Sequence, residues 1–308
     1  MISGLSPSNQ QFLTSIGEMQ QQMQTVETQL SSGYRVNQAS DAPQEVEDIF
    51  QTRANLGQAN QVIQNLTTVQ AQVNAGDSAL QNAIQVLQQA STYATQGASS
   101  TTTVAQQQEL ATQVQSLQSQ LVSLSRTQVD GVYIFSGDQS GSPAYQADPS
   151  SPTGVDQLIT TEATQQIADP TGVTFQVAMT AQDLFDNSDS SGNPTPQNAF
   201  AALQSLQTAL QSGNQNGVVQ ALSSVQSASA YLNQQLGFYG AAENRISSAI
   251  SLAQKFQVQD QTQLSNLQDA DVPTDAVDLT QLTTSMDAAM AAQARQPVST
   301  LFDYLPLS

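Results

Sequence analysis

The chain has 308 residues, with 25 acidic against 6 basic side chains, a formal charge of -19, and no Cys, His or Trp. That balance argues against nucleic acid or an anionic membrane surface as partner. Without Cys there are no disulfides or thiolate metal sites, and without His the commonest acid–base group near neutral pH is missing. Fifty-three glutamines, with abundant Ser and Thr, make a polar but mostly neutral surface.

The N-terminal segment has neither a basic region nor an apolar core, so it does not read as a conventional signal peptide. No stretch is long and apolar enough to span a bilayer. From Phe12 the spacing is helical and unbroken: Phe12, Ile16, Met19, Met23, Val26, Leu30. Gly33 follows where a helix stop is expected, and residues 31–35 read as a connector. Ser40 or Asp41 can cap a second helix, with Pro43 in its first turn. That helix is expected from about Pro43 to Gln96, with ten of fourteen seam positions apolar, among them Ile49, Leu66, Leu80 and Leu87. Gly76-Asp77 is its expected weak point. A loop leads to a third helix with Leu110, Val114, Leu117, Leu121 and Leu124 on one line.

The pattern changes at Asp130. Val132-Tyr133-Ile134-Phe135 is β-branched and aromatic, and residues 172–177 also read as strand. Between residues 127 and 244 there is no Lys or Arg. This points to a small acidic, β-rich insert over 131–196, facing solvent. Helix resumes near Gln197, and residues 213–217 break it. Then comes the longest repeat, stepping by four and three from Val218 to Leu267, with eleven of fifteen positions apolar. A 3.5-residue repeat is the seam of a coiled coil or helical bundle. After residues 269–275 a last helix carries Leu279, Leu282, Met286 and Ala289. Pro297 ends it before the apolar tail Leu301-Phe302-Asp303-Tyr304-Leu305.

The fold class expected is mainly α, an elongated antiparallel coiled-coil or helical-bundle rod with a small β-rich insert and paired terminal helices. Three divisions follow: 1–42 with 270–308, 43–130 with 197–269, and 131–196. Each terminal helix has one apolar face, which finds burial only against a partner. The candidate subunit-assembly residues are therefore Phe12, Ile16, Met19, Met23, Val26, Leu30, Arg35, Leu282, Met286, Leu301, Phe302 and Leu305. Met19, Met23 and Met286 are most simply read as core.

Candidate chemistry is thin. Residues 186–193 are oxygen-rich, but an EF-hand loop wants Gly at its sixth position and Glu at its twelfth, where Ser191 and Gln197 stand. A solvated loop is the simpler reading. Asp77, Glu243 and Asp260 fall on seam positions, where polar residues more often set register than catalyse. Arg35 and Arg53 suit either an acid on a neighbouring subunit or an ordinary intrachain pair. No catalytic residue, cofactor or metal site is assigned.

Gln29-Leu30-Ser31-Ser32-Gly33-Tyr34-Arg35-Val36-Asn37, followed by Ser40-Asp41-Ala42-Pro43, resembles the N-terminal signature of bacterial flagellins and of the hook-associated protein 3 family. Asn65-Leu66, Asp77-Ser78-Ala79-Leu80 and Leu267-Gln268-Asp269-Ala270-Asp271 fit as well. Thr127-Gln128-Val129-Asp130-Gly131-Val132-Tyr133-Ile134-Phe135-Ser136-Gly137 and the apolar tail favour the hook-associated branch over flagellin. One departure is Asp41-Ala42, where a second acidic residue is usual. The resemblance implies a non-enzymatic protein of the hook–filament junction, exported through the flagellar type III apparatus. Its implied partners are further copies of itself, hook-associated protein 1, flagellin and a cytoplasmic chaperone on the C-terminal region. A filament subunit is the nearest alternative. A surface-binding module using the acidic insert is a more distant one.

Overall fold

The protein is described by a computed structural model covering residues 7–295. Helices dominate. In chain order, α1 is Pro7–Ser32, α2 Val46–Gly97 and α3 Val104–Ser125. Three short antiparallel strand pairs follow: β1 (Gln128–Val129) with β2 (Val132–Tyr133), β3 (Tyr145–Ala147) with β4 (Val155–Gln157), and β5 (Gln166–Ala168) with β6 (Thr174–Gln176). Then come α4 (Ala181–Phe185), α5 (Ala199–Gln211), α6 (Gln215–Gln268) and α7 (Val272–Ala294). At a rise of about 1.5 Å per residue, the 54 residues of α6 extend about 80 Å. The mainly helical class, with long antiparallel helices and small strand pairs, is as the sequence implies.

The chain divides into two compact units, Ala59–Lys255 and Met1–Gln58 with Phe256–Ser308. The first holds a continuous core. Its α5 buries eight of thirteen residues, including Phe200, Leu203, Leu206 and Leu210, and packs along α3. Asn198 caps α5 through the Ala201 N–H, and Thr103 caps α3 in a capping box with Gln106. The inward faces of α2 and α6 contribute Leu80, Leu87, Val225, Leu232 and Ile246 to the same core.

The insert joins that core rather than standing clear in solvent. Phe135 and Phe185 meet edge-on at 5.7 Å, Phe185 lies 5.9 Å from Phe200, and Tyr145 is 5.3 Å from Phe200. Burial pushes the Tyr145 phenol well above its ordinary pKa, and the Asp186 carboxylate that accepts its hydrogen bond at 2.9 Å adds to the effect. Arg245 of α6 sits 4.2 Å over the Phe175 ring.

Four local expectations are corrected. Strand structure at Val132 stops at Tyr133; Phe135 drops into the core, and its carbonyl accepts from Ala181 N–H. The second helix begins at Val46, after a turn over residues 43–45, because Asp41 Oδ2 is occupied by the Asn37 and Gln38 N–H groups at 2.9 and 2.8 Å. Gly76 is not a weak point. A Cβ there would lie 2.5 Å from the Tyr239 ring, so the missing side chain is what lets the ring pack against an unbroken α2. Finally, Glu243 is exposed and Ala242 takes the inward place.

Candidate assembly surface

In the second unit α1 packs along α7. Gln293 donates to Asn9 at 3.2 Å, while Met19 and Val26 share a groove with Leu282 and Asp278. The pair therefore runs antiparallel. The 3.6-residue period of each helix sets Phe12, Ile16, Met19, Met23, Val26 and Leu30 on one line of α1, and Leu279, Leu282, Met286 and Ala289 on one line of α7. Every one of these is only half-buried, and no described side chain of either helix is buried outright. Two helices alone cannot enclose an apolar stripe, because each is covered from one side only. Leu13, Val277 and Met290 stand more than half exposed on the same pair. Of the assembly candidates, Leu301, Phe302 and Leu305 lie outside the described residues.

The base of this pair is a joint built from the two sequence stretches that carried the resemblance. Gly33, at φ 75°, ends α1 and turns the chain. Arg35 and Val36 N–H groups both donate to the Gln268 carbonyl, at 2.7 and 3.3 Å, and Ala270 N–H donates to the Gly33 carbonyl at 3.0 Å. The Arg35 guanidinium binds the Glu45 carboxylate and, at 2.6 Å, the Leu267 carbonyl. Arg53 reaches the buried Gln268 side chain at 2.7 Å. Arg35 thus makes an intrachain ion pair, the second of the two uses open to it, whereas Arg53 bonds a neutral amide rather than an acid. Beneath lies a small core of Val36, Ala42 and Ile49, with Leu264 and Leu267 against it. Gln268 and Glu45 were not among the site candidates. Only the fit of Leu267-Gln268-Asp269 to a shared signature marked the place, since pairing residues 232 apart is not visible in spacing.

The oxygen-rich loop is knitted internally. Asp186 accepts from Tyr145 and from Asn198 Nδ2 at 2.7 Å, while Asp189 Oδ1 accepts from Ser191 and Asn193 N–H groups at 2.8 and 2.9 Å. Those backbone bonds hold the Asp189 carboxyl below its usual pKa. Among the described residues, no three or more His, Cys, Asp or Glu are grouped as a metal would require. No described helix is long and apolar enough to cross a membrane.

These features define a class, a helical chain with one unit built on a sparse terminal helix pair and another with a dense helical core. Residues 3–140 match the bacterial flagellin N-terminal helical region. No curated protein matches the chain by sequence. Among solved structures, a protein assigned as a flagellar hook-associated protein from Vibrio parahaemolyticus is 15% identical with a TM-score of 0.64, covering 74% of this chain and 100% of its own. FlgL from Bacillus cereus is 17% identical at 0.55, covering 71% and 100%. Flagellar hook-associated protein 3 from Legionella pneumophila is 14% identical at 0.58, covering 72% and 98%. The chain thus has the hook-associated protein fold. In sequence, its residues 3–140, somewhat under half of the chain, are similar to the flagellin N-terminal region.

Proposed function

We propose that this chain is a hook–filament junction protein, assembling as a ring between the hook-associated protein 1 ring and the flagellin filament and templating filament growth. The observation that carries the reading is the helix pair α1–α7, whose six-residue apolar line on α1 is half-covered throughout. A surface of that kind gains most of its burial only on assembly. On this reading residues 1–42 and 270–308 form the assembly domain, 43–130 with 197–269 the rod, and 131–196 an insert whose aromatic side chains pack on the rod's core. The assembly contacts are Phe12, Ile16, Met19, Met23, Val26, Leu30, Leu282, Met286 and the tail residues Leu301, Phe302 and Leu305, with Arg35 fixing the joint beneath them. Export through the flagellar apparatus, with a chaperone holding the C-terminal region beforehand, belongs to the same proposal. Neither an enzymatic step nor a cofactor enters it.

A filament-subunit role is the second reading, favoured by the match of residues 3–140 to the flagellin N-terminal region. Electron microscopy of cells lacking this chain, with free flagellin assayed in the medium, separates the two. Bare hooks with flagellin monomers in the medium support the junction role. Bare hooks without them indicate the filament subunit, and normal filaments refute both.

A further inference from the structure

We infer that the cavity where the insert meets α2 and α6 is a binding site for a small uncharged molecule, a single ring bearing one hydrogen-bonding group, of which phenol is the simplest. The site lies within the unit Ala59–Lys255 and is independent of the junction reading. One wall is α2, with Val69, Gln72 and Val73; Tyr133 of β2 and Tyr239 of α6 form others. The segments leading into and out of the β5–β6 hairpin, with Ala163 and Ala178, complete the enclosure. The volume is about 210 Å³. That exceeds the roughly 150 Å³ at which an apolar protein cavity takes up benzene, and falls short of the roughly 300 Å³ where drug-sized sites begin. The space suits one ring.

The lining narrows the chemical class. Val69 and Val73 are buried and give an apolar floor, while the two tyrosine rings offer faces and edges to an aromatic guest. The polar side chains of the wall are amides and hydroxyls, and no Asp, Glu, Lys or Arg lines it. In a chain of formal charge -19 this neutrality is selective, because an ion entering would lose its hydration and find no counter-charge. Carboxylates stand just outside, since Asp138 follows the lining residue Gly137 and Glu162 precedes Ala163, so an anion is repelled as well. The Gln72 amide makes no hydrogen bond to any described residue, which leaves it free to bond a guest's hydroxyl. Because both long helices and the insert contribute walls, an occupant ties the insert to the helices.

The test uses the full chain with phenol, benzoate and benzylammonium, which share a ring and differ in charge. Binding is read by ligand-observed NMR and by hydrogen exchange. Phenol is expected to bind and to slow exchange of the amides of residues 163–178. The two charged analogues should bind at least about tenfold more weakly. Ala178→Leu fills the cavity from its wall; it should remove the phenol effect and raise the thermal midpoint, as cavity filling commonly does. Ala163→Leu, on the other segment flanking the hairpin, gives the same readout if the first variant fails to fold. No binding of phenol, equal binding of the charged analogues, or phenol binding that survives the filling substitutions would each overturn the inference. None of these outcomes bears on the filament phenotype, so failure here leaves the junction reading standing.

Discussion

Residues 59–255 and the helix pair at the chain ends solve the same problem in opposite ways. In the first, Leu80, Leu87, Leu121, Leu203, Leu206, Leu210 and Leu232 are sealed, and the aromatic rings of the insert pack onto Phe200. In the second, the buried hydrophobic residues described are Val36, Ala42 and Ile49, all at the joint. Phe50, Val258 and Val277 are each more than 60% exposed. With so little area removed from water, conformational entropy is barely offset there. The contrast teaches that one chain separates a part that folds by its own core from a part that awaits company.

The largest test of this contrast sets Leu206→Ala against Met23→Ala. The first should cost about 3–4 kcal/mol in chemical denaturation, because a sealed site cannot collapse around the cavity. Met23→Ala should cost the free chain less than about 1 kcal/mol and yet impair assembly on isolated hooks. Similar losses from both would erase the distinction. Glycines sharpen it next. Gly76→Ala drives a Cβ into the Tyr239 ring and should destabilise by about 1–3 kcal/mol. Gly57→Ala, in open space on the same helix, should stabilise by about 0.5–1 kcal/mol. Gln268→Ala removes the acceptor of Arg53. It should cost about 1 kcal/mol, seen as faster proteolysis of residues 33–45 with the main unfolding transition hardly moved.

The smallest effects are in pH. Tyr145 and Tyr239 have raised pKa values through burial, so the neutral phenol is what the folded state holds. Their contribution is intact below the unfolded value of about 10 and is lost as pH rises beyond it. On the acid side, Asp148, Asp169 and Asp189 are lowered, mainly by hydrogen bonds from Ser150, Thr171 and Asn193. What they add is present above about pH 4 and fades as pH falls below it. Denaturation midpoints followed across both windows check the two signs; a rise in stability above pH 10 would contradict the first.

Much of the helical plan was legible because long helices repeat their inward residues. Val218, Val225, Leu232, Tyr239, Ile246 and Ala253 lie buried where the four–three stepping puts them. The stepping failed where alanines broaden the inward face: Ala221, Ala228, Ala242 and Ala249 are buried, and Glu243 is pushed outward. Small residues admit close neighbours that a narrow heptad line does not anticipate. The β1–β2 hairpin turns at Asp130-Gly131, with φ 52° and 81°, a signal present in the sequence but read only as part of a family motif. Five-residue α4 is too short for any period to show. Its capping box, Thr180 with Asp183, was the available sign. The joint was opaque for a different reason, since Arg35 and Gln268 meet through the fold and neither stretch alone announces the other.

Hydrogen exchange on the free full-length chain and on the same chain assembled onto hooks tests the central claim most directly. The account predicts amides of residues 79–94 and 199–210 protected in both states. Those of residues 9–32 and 272–294 should exchange orders of magnitude faster in the free chain and become protected on assembly. Equal protection of the terminal helices in the two states would contradict it, for their apolar faces would then need no partner.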